Sequence, residues 1–133
     1  CRPVLFEVLL EVPKLRFALA HISWPWVDEC IAVYGKFINA YRRRPGMSCE
    51  MFIDLTPGTP RIYRRDALTK LLMLGYPIEG NLLFGTDGGT REYGIDHAKG
   101  WIARDSDIYK ELRIADATVE GIFAKNLQRF ISG

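Results

Sequence analysis

Short apolar runs alternate along this chain with segments of helical periodicity, and no hairpin turn joins one run to the next. The runs predict strands at 15–20 and 49–55, and a third strand in the run that ends at Asp87. Strands that are separated by helices pair in parallel through right-handed crossovers. The predicted order of elements is α-β-α-β-α-β-α-α, which indicates an α/β fold with a parallel sheet.

Helices are predicted wherever apolar side chains recur at intervals of three and four residues. The first covers 3–12, because Pro3 suits a first helical turn and Pro13 ends the segment. The second begins near Val27 and ends near Arg43. The three later helices are predicted from the apolar residues within 67–72, 101–112 and 119–130.

Three parallel strands alone would leave both edges of their sheet unpaired, which natural proteins avoid. The pattern therefore favours one arc of a closed barrel over an independent sheet. A chain of 133 residues is long enough for one domain with a core and short for two, so 1–133 is taken as a single domain. The start at Cys1-Arg2-Pro3, without methionine, predicts that the chain belongs to a longer protein.

Charge and hydropathy exclude two classes of partner. The net charge is +2 and no long basic run is present, so nucleic acid is not the expected partner. No apolar stretch approaches the roughly 20 residues that span a bilayer, so no membrane partner is expected. Three cysteines (Cys1, Cys30 and Cys49) form no CxxC pair, which favours a reducing, cytoplasmic location.

Two chemically active side chains follow predicted strands. His21 ends the run at 15–20, and Asp87 ends the run that begins at Asn81. Ligands of α/β sheets bind at the carboxyl ends of the strands, so this pair predicts a metal site or an acid–base site. Alternatives remain open for both residues: Asp87 caps the next helix or fixes the turn at 88–89, and His21 is a structural histidine.

Other side chains near the strand ends have less specific interpretations. Trp24 and Trp26 either line a substrate pocket or pack against neighbouring elements. Asp54 lies inside the second predicted strand and Thr56 at its rim, and both are expected to form hydrogen bonds with neighbours.

Three cations at the start of a helix either bind a substrate carboxylate or are solvated, and the solvated interpretation is favoured: Arg61, Arg64 and Arg65. His97 is interpreted as a surface residue in a loop. Asn126, within the last predicted helix, is interpreted as a structural hydrogen-bonding residue.

Four segments together resemble the amidohydrolase-related family of metal-dependent barrels. The segment 20–26, Ala-His-Ile-Ser-Trp-Pro-Trp, resembles the end of that family's sixth strand, and 52–56 resembles its seventh. The run 82–87, Leu-Leu-Phe-Gly-Thr-Asp, resembles the eighth-strand motif, and 122–130 is similar to the closing helix. The resemblance covers nearly all of the chain and is to the branch of aminocarboxymuconate-semialdehyde decarboxylase and related lactone or amide hydrolases.

The resemblance implies a fold, a reaction and a site. The fold would be the C-terminal arc, about strands 6–8, of a (β/α)8 TIM barrel. The reaction would be metal-dependent hydrolysis or decarboxylation of a small carboxylic acid, lactone or amide. Asp87 would bind a divalent metal, with zinc as the expected ion, and act as general base. His21 would face the metal-bound water or the substrate and serve as a further ligand.

Departures from the family pattern support an alternative. The family's first-strand His-x-His pair and its fifth-strand ligand are absent from the sequence, and glycines at 88–89 follow Asp87 where many members have an aromatic residue and a proline. The alternative is a non-catalytic half-barrel or assembly module without the N-terminal metal ligands. The expected partner is a second copy or the missing N-terminal part of the same barrel. A third interpretation, a doubly wound domain that binds a phosphorylated ligand near 85–89, has no GxGxxG or P-loop to support it.

Overall fold

Three parallel strands form the centre of the chain in the computed structural model, which describes residues 2–89 and 91–132. The strands are β1 (Arg16–Leu19), β2 (Glu50–Asp54) and β3 (Leu82–Leu83), paired in the order β1-β2-β3. Leu19 lies beside Ile53, and Ile53 lies beside Leu82, so the three strands end at nearly the same level. The predicted α/β fold with a parallel sheet is confirmed.

Five α-helices accompany the sheet within the described residues: α1 (Val27–Arg43), α2 (Arg64–Met73), α3 (Ile95–Glu111), α4 (Asp116–Glu120) and α5 (Asn126–Ser132). A π-helical turn at Gly121–Lys125 joins α4 to α5, so the last predicted helix is continuous but irregular. Short 3₁₀ helices occupy Pro3–Glu11, Ala20–Ser23, Arg61–Tyr63 and Glu79–Asn81. No helix in the described part of the chain combines the length and apolar character needed to cross a bilayer.

The first helix is a 3₁₀ helix over Pro3–Glu11, whereas an α-helix was predicted. Its inward-facing side chains are Pro3, Phe6, Leu9 and Leu10. A 3₁₀ helix has three residues per turn, so it places Pro3, Phe6 and Leu9 in line.

Strand β3 is shorter than predicted. Leu55 N–H still donates to the Leu83 carbonyl at 2.7 Å, but Phe84 forms no further hydrogen bond with β2. Phe84 N–H donates instead to the carbonyl of Ile122, in the π-helical turn, at 3.0 Å. The prediction that Asp87 ends a strand is therefore wrong: Asp87 lies in the loop that follows β3.

The main core lies between the sheet and helices α1 and α2. Phe17 of β1 contacts Phe37 of α1 edge-to-face, with ring centroids 5.1 Å apart. The buried side chains of this core include Cys30, Tyr34, Phe37, Met51, Ile53, Leu68 and Leu71. Each large apolar side chain buried in this way contributes roughly 1.5–3 kcal/mol.

The opposite face of the sheet is covered by the C-terminal helix. Phe52 alternates with the core-facing residues of β2 and packs edge-to-face on Phe130, with ring centroids 5.0 Å apart. Neither outer edge of the sheet, at β1 or at β3, pairs with another strand among the described residues. These residues form an open sheet and not a closed barrel.

Candidate functional site

The three strands end at one edge of the sheet, which we call the carboxyl edge: His21 follows β1, Asp54 ends β2 with Thr56 two residues later, and 85–87 follow β3. Because the strands are parallel, their carboxyl ends coincide, and in α/β proteins this is where ligands bind. Both residues predicted to carry chemistry, His21 and Asp87, belong to segments at this edge.

His21 has a backbone conformation that L-residues rarely adopt. Its φ and ψ are 57° and 32°, and the next two residues, Ile22 and Ser23, also have positive φ, 54° and 55°. Each left-handed residue costs about 1–2 kcal/mol, so surrounding contacts must hold the segment. Ile22 supplies one such contact, since its side chain is completely buried.

The imidazole of His21 packs against the loop that follows β2. Its Nδ1 lies 3.3 Å from the carbonyl oxygen of Thr56. A Cβ atom at Gly58 would lie only 2.4 Å from Cγ of His21, so the position requires glycine. When Nδ1 donates to the carbonyl, Nε2 presents its lone pair, as in metal-binding and proton-accepting histidines. Gly58 is a site residue that the sequence analysis missed, because the loop 56–60 carried only turn signals.

Asp54 and Thr56 hold the centre of the carboxyl edge together. Thr56 N–H donates to Oδ1 of Asp54 at 2.9 Å, and the Thr56 hydroxyl donates to Oδ2. The predicted hydrogen bonding of these residues to neighbours is confirmed. A Cβ at Gly85 would lie 3.1 Å from Cγ2 of Thr56, so glycine lets the β3 loop pack closely. Thr56 therefore links His21, through its carbonyl oxygen, to Gly85, through its side chain.

Asp87 is exposed and also has a positive φ of 54°. The carbonyl oxygen of the preceding residue, Thr86, lies 3.2 Å from Nε2 of His97. His97 is on the surface, as predicted, but it lies in the first turn of α3 and not in a loop. Among the described residues, no hydrogen bond joins Asp87 to His21.

The carboxyl edge fits a divalent metal in the type of its donors but not in their number. Imidazole nitrogen and carboxylate oxygen are usual zinc ligands, and zinc sites have three or four protein ligands. Within 2–89 and 91–132, no group of three His, Cys, Asp or Glu side chains is placed to hold an ion. A zinc site built on His21 and Asp87 would therefore need ligands from outside these residues.

Trp24 and His21 line the same cavity beside β1, with a volume of about 350 Å³. The Trp24 indole stacks on the ring of Tyr63, with centroids 4.8 Å apart. Trp26 is 38% exposed and does not line this cavity. Trp24 therefore both lines a cavity and packs against a neighbouring ring, so both of its interpretations stay open, and Trp26 lies outside this cavity.

Arg64 overturns the expectation of a solvated helix start. Its side chain is completely buried and donates from Nε and Nη2 to the carboxylate of Asp105, at 2.9 and 2.5 Å. Arg65 remains exposed and pairs with Glu111, and Arg61 is exposed. The buried ion pair fixes the start of α2 to α3. The loop that carries the Thr56 carbonyl precedes α2, with the 3₁₀ helix Arg61–Tyr63 between them. Nothing in the sequence links two residues 41 positions apart.

Asn126 has the structural role that the sequence predicted. Its Nδ2 donates to the carbonyl oxygens of Glu79 and Leu82, at 2.7 and 2.9 Å. These two bonds hold the start of β3 against α5. The position of the β3 loop therefore depends on this amide.

Comparisons of the chain with protein-family models, with curated proteins and with solved structures gave no match.

Proposed function

We propose that this chain forms the C-terminal arc, about strands 6–8, of a (β/α)8 barrel that performs metal-dependent hydrolysis or decarboxylation. The observation that best supports the proposal is the sheet itself, in which three parallel strands pair in chain order and both outer edges lack a strand partner among the described residues. Consecutive parallel strands pair in this way in such barrels, where the remaining strands would cover the two edges and would replace the C-terminal helix on the face of Phe52. The carboxyl edge would then belong to the catalytic face of the barrel.

In this proposal Asp87 and His21 hold a divalent metal, with zinc as the expected ion, together with ligands from other strands. When bound, such an ion supplies a water with a pKa of about 7. Asp87 accepts a proton from the attacking water as general base, a role that suits an exposed carboxylate on a glycine-rich loop. His21 polarises the substrate carbonyl or stabilises the negative charge that develops on it.

The backbone around His21 supports this assignment. Three left-handed residues, a carbonyl partner for Nδ1 and the close contact with Gly58 restrict the imidazole to one orientation. Active-site groups need such restriction, because small displacements from the productive geometry reduce the rate strongly. A histidine with a purely structural role has less need of a strained backbone.

The proposed substrate is a small carboxylic acid, lactone or amide. His21 and Trp24 both border the space beside β1, next to the edge that another strand of the proposed barrel would cover. The indole face supplies an apolar wall, and the imidazole supplies the polar group that would orient a carbonyl.

A second candidate function is a non-catalytic half-barrel or assembly module. Two observations favour it: the described residues lack a complete metal-ligand group, and apolar side chains are exposed on the first 3₁₀ helix, where Leu5 is 64% and Val8 76% exposed. Such a module would assemble with a second copy or with the rest of a barrel through this surface and the β1 edge.

The two candidates are separated by turnover measurements on purified protein in which this chain is joined to the remaining strands of the proposed barrel, supplied with zinc. Hydrolysis of small lactones and amides and release of CO₂ from small carboxylic acids would be followed for the wild type, Asp87→Asn and the control Asp107→Asn, an exposed aspartate on α3. The enzyme proposal predicts that Asp87→Asn lowers turnover by at least about 100-fold while the control remains active. Unchanged turnover in Asp87→Asn would contradict it, and a folded wild type without turnover or bound metal would favour the assembly module.

A further inference from the structure

The two histidines of the chain each lie beside a backbone carbonyl oxygen, but through opposite nitrogens of the ring. Nδ1 of His21 is 3.3 Å from the carbonyl oxygen of Thr56, and Nε2 of His97 is 3.2 Å from that of Thr86. A carbonyl oxygen only accepts hydrogen bonds, so it favours a proton on the nitrogen that faces it. The neutral rings should therefore adopt opposite tautomers, Nδ1–H in His21 and Nε2–H in His97.

The carbonyl group beside His21 is oriented by its own loop. Gly58 N–H donates to the same Thr56 oxygen at 2.9 Å. A carbonyl oxygen has two lone pairs, so it can accept this bond and the bond from His21 together. Glycine at this position also lets the imidazole approach, because a Cβ at Gly58 would lie only 2.4 Å from the His21 ring.

Asp54 restrains the residue that carries this carbonyl. Its Oδ1 accepts a hydrogen bond from Thr56 N–H at 2.9 Å, and its Oδ2 accepts one from the Thr56 hydroxyl. The first of these bonds closes an Asx turn, in which an aspartate accepts from the backbone two residues later. One carboxylate thus holds the backbone and the side chain of Thr56 at the same time, and hydrogen bonds to a carboxylate are stronger than those between neutral groups.

We infer that Asp54 is a positioning residue for His21. By holding Thr56, it directs the carbonyl that keeps the proton on Nδ1 and leaves the lone pair on Nε2. The inference rests on the proposed function, because Nε2 is the nitrogen that would bind the metal or face the substrate. If the proton moved to Nε2, that nitrogen would have no lone pair for a metal ion.

The tautomers are measured in the metal-free chain by long-range ¹H–¹⁵N NMR, which distinguishes protonated from unprotonated ring nitrogens. EDTA is present, and the pH is about 8, above the range in which histidines ordinarily titrate. For His21 we expect at least about a five-fold excess of the Nδ1–H form, which is the preference that one hydrogen bond of ordinary strength provides. His97 is the internal reference and should favour the Nε2–H form.

Three variants locate the cause of this preference. Asp54→Ala removes both acceptor oxygens and Thr56→Val removes the hydroxyl donor, whereas Thr56→Ser keeps the hydroxyl and the carbonyl. We expect the first two to reduce the excess at His21 at least about two-fold, because hydrogen bonds weaken steeply when their geometry is disturbed. Thr56→Ser should retain the wild-type tautomer, and His97 should be unchanged in all three variants.

Backbone amide spectra show whether each variant is folded, and Thr56→Val provides the test if Asp54→Ala does not fold. An Nε2–H tautomer of His21 in the wild type would overturn the inference. An excess that neither Asp54→Ala nor Thr56→Val reduces, or an equal change at His97, would also overturn it. Since the tautomer is measured without metal or substrate, this failure is distinct from a failure of the turnover test, which concerns the proposed reaction.

Discussion

The two ends of the same three-stranded sheet are held together by different means. At the end where the strands begin, which we call the amino edge, the contacts come from charged side chains, since Glu50 pairs with Arg129 at 2.6 Å and with Arg16 at 3.4 Å. At the carboxyl edge they come largely from backbone groups, such as the Thr56 carbonyl beside His21. Glu50 therefore has a structural role at the amino edge, as Asp54 has at the carboxyl edge, whereas the exposed Asp87 at the carboxyl edge remains available for chemistry.

Left-handed, non-glycine residues occur at both ends of the sheet. The carboxyl edge has four, at 21–23 and at Asp87, and the amino edge has Lys14, with a φ of 61°, two residues before β1. Strain persists only where surrounding contacts enforce it, and it concentrates at functional sites. The comparison therefore predicts that substitutions at the amino edge reduce stability, and that substitutions at the carboxyl edge reduce function at smaller cost in stability.

The largest loss of stability is expected at the amino edge. Glu50→Ala removes the shared partner of Arg16, Asn81 and Arg129, and it should lower the free energy of unfolding by about 2–4 kcal/mol. Urea unfolding followed by circular dichroism measures the change. Glu92→Ala, at an exposed position, is the control and should stay within about 0.5 kcal/mol. A loss below about 1 kcal/mol in Glu50→Ala would show that this network contributes little.

A smaller loss of stability is expected when an extra methyl group is forced into the packing of the carboxyl edge. Gly58→Ala forces a methyl group against the His21 ring and should lower the free energy of unfolding by about 1–3 kcal/mol. The same clash should displace the imidazole, which the ¹⁵N shifts of its ring nitrogens report. Gly89→Ala is the matched control, because a Cβ there meets no atom within 4 Å. Identical spectra and stabilities for the two variants would contradict the predicted contact.

Alkaline pH should loosen the carboxyl edge through Cys30, which is completely buried beneath the 21–23 segment. Burial raises the pKa of this thiol from 9.0 to about 11, against a smaller opposing effect of a hydrogen bond with Ser23. The unfolded chain loses this proton near pH 9 and the folded chain near pH 11, so stability falls as pH rises between them. By pH 10 this difference in pKa should lower the free energy of unfolding by about 1–2 kcal/mol. Between pH 8 and pH 10, the free energy of unfolding measured with urea should fall less in Cys30→Ala than in the wild type. Equal falls in the two proteins would exclude the Cys30 thiol as the cause.

The smallest effect on stability is expected at Asp87. Asp87→Asn keeps the size of an exposed side chain, and asparagine tolerates the left-handed backbone, so the free energy of unfolding should change by no more than about 0.5 kcal/mol. Thermal and urea unfolding provide the measurement. A loss above about 1 kcal/mol would mean that Asp87 is structural, and the contrast between the two edges would fail.

Features that follow from local periodicity were predictable from the sequence. The alternation of strands and helices, the parallel sheet and helix α1 (Val27–Arg43) each depend on repeated apolar spacing within one segment. The position of His21 at the carboxyl edge followed from that topology, because parallel strands end together.

Features that depend on distant residues were not predictable. The contact of Gly58 with His21 and the buried pair of Arg64 with Asp105 join separate loops and helices, and neither residue type indicates its partner. The shortness of β3 arises because Phe84 N–H bonds to the carbonyl of Ile122 instead of continuing the ladder. No local pattern encodes that competition.

The central claim is that His21 and Asp87 hold a metal at the carboxyl edge, and the most direct test is the zinc content of the folded protein after equilibrium dialysis. We would compare the wild type with His21→Ala, Asp87→Asn and the control Asp96→Asn, which changes an exposed aspartate on α3. In protein that contains the remaining strands of the proposed barrel, the account predicts about one zinc per barrel in the wild type and the control, and loss of zinc in the other two variants. A folded wild type that binds no zinc, or variants that retain it, would contradict the account.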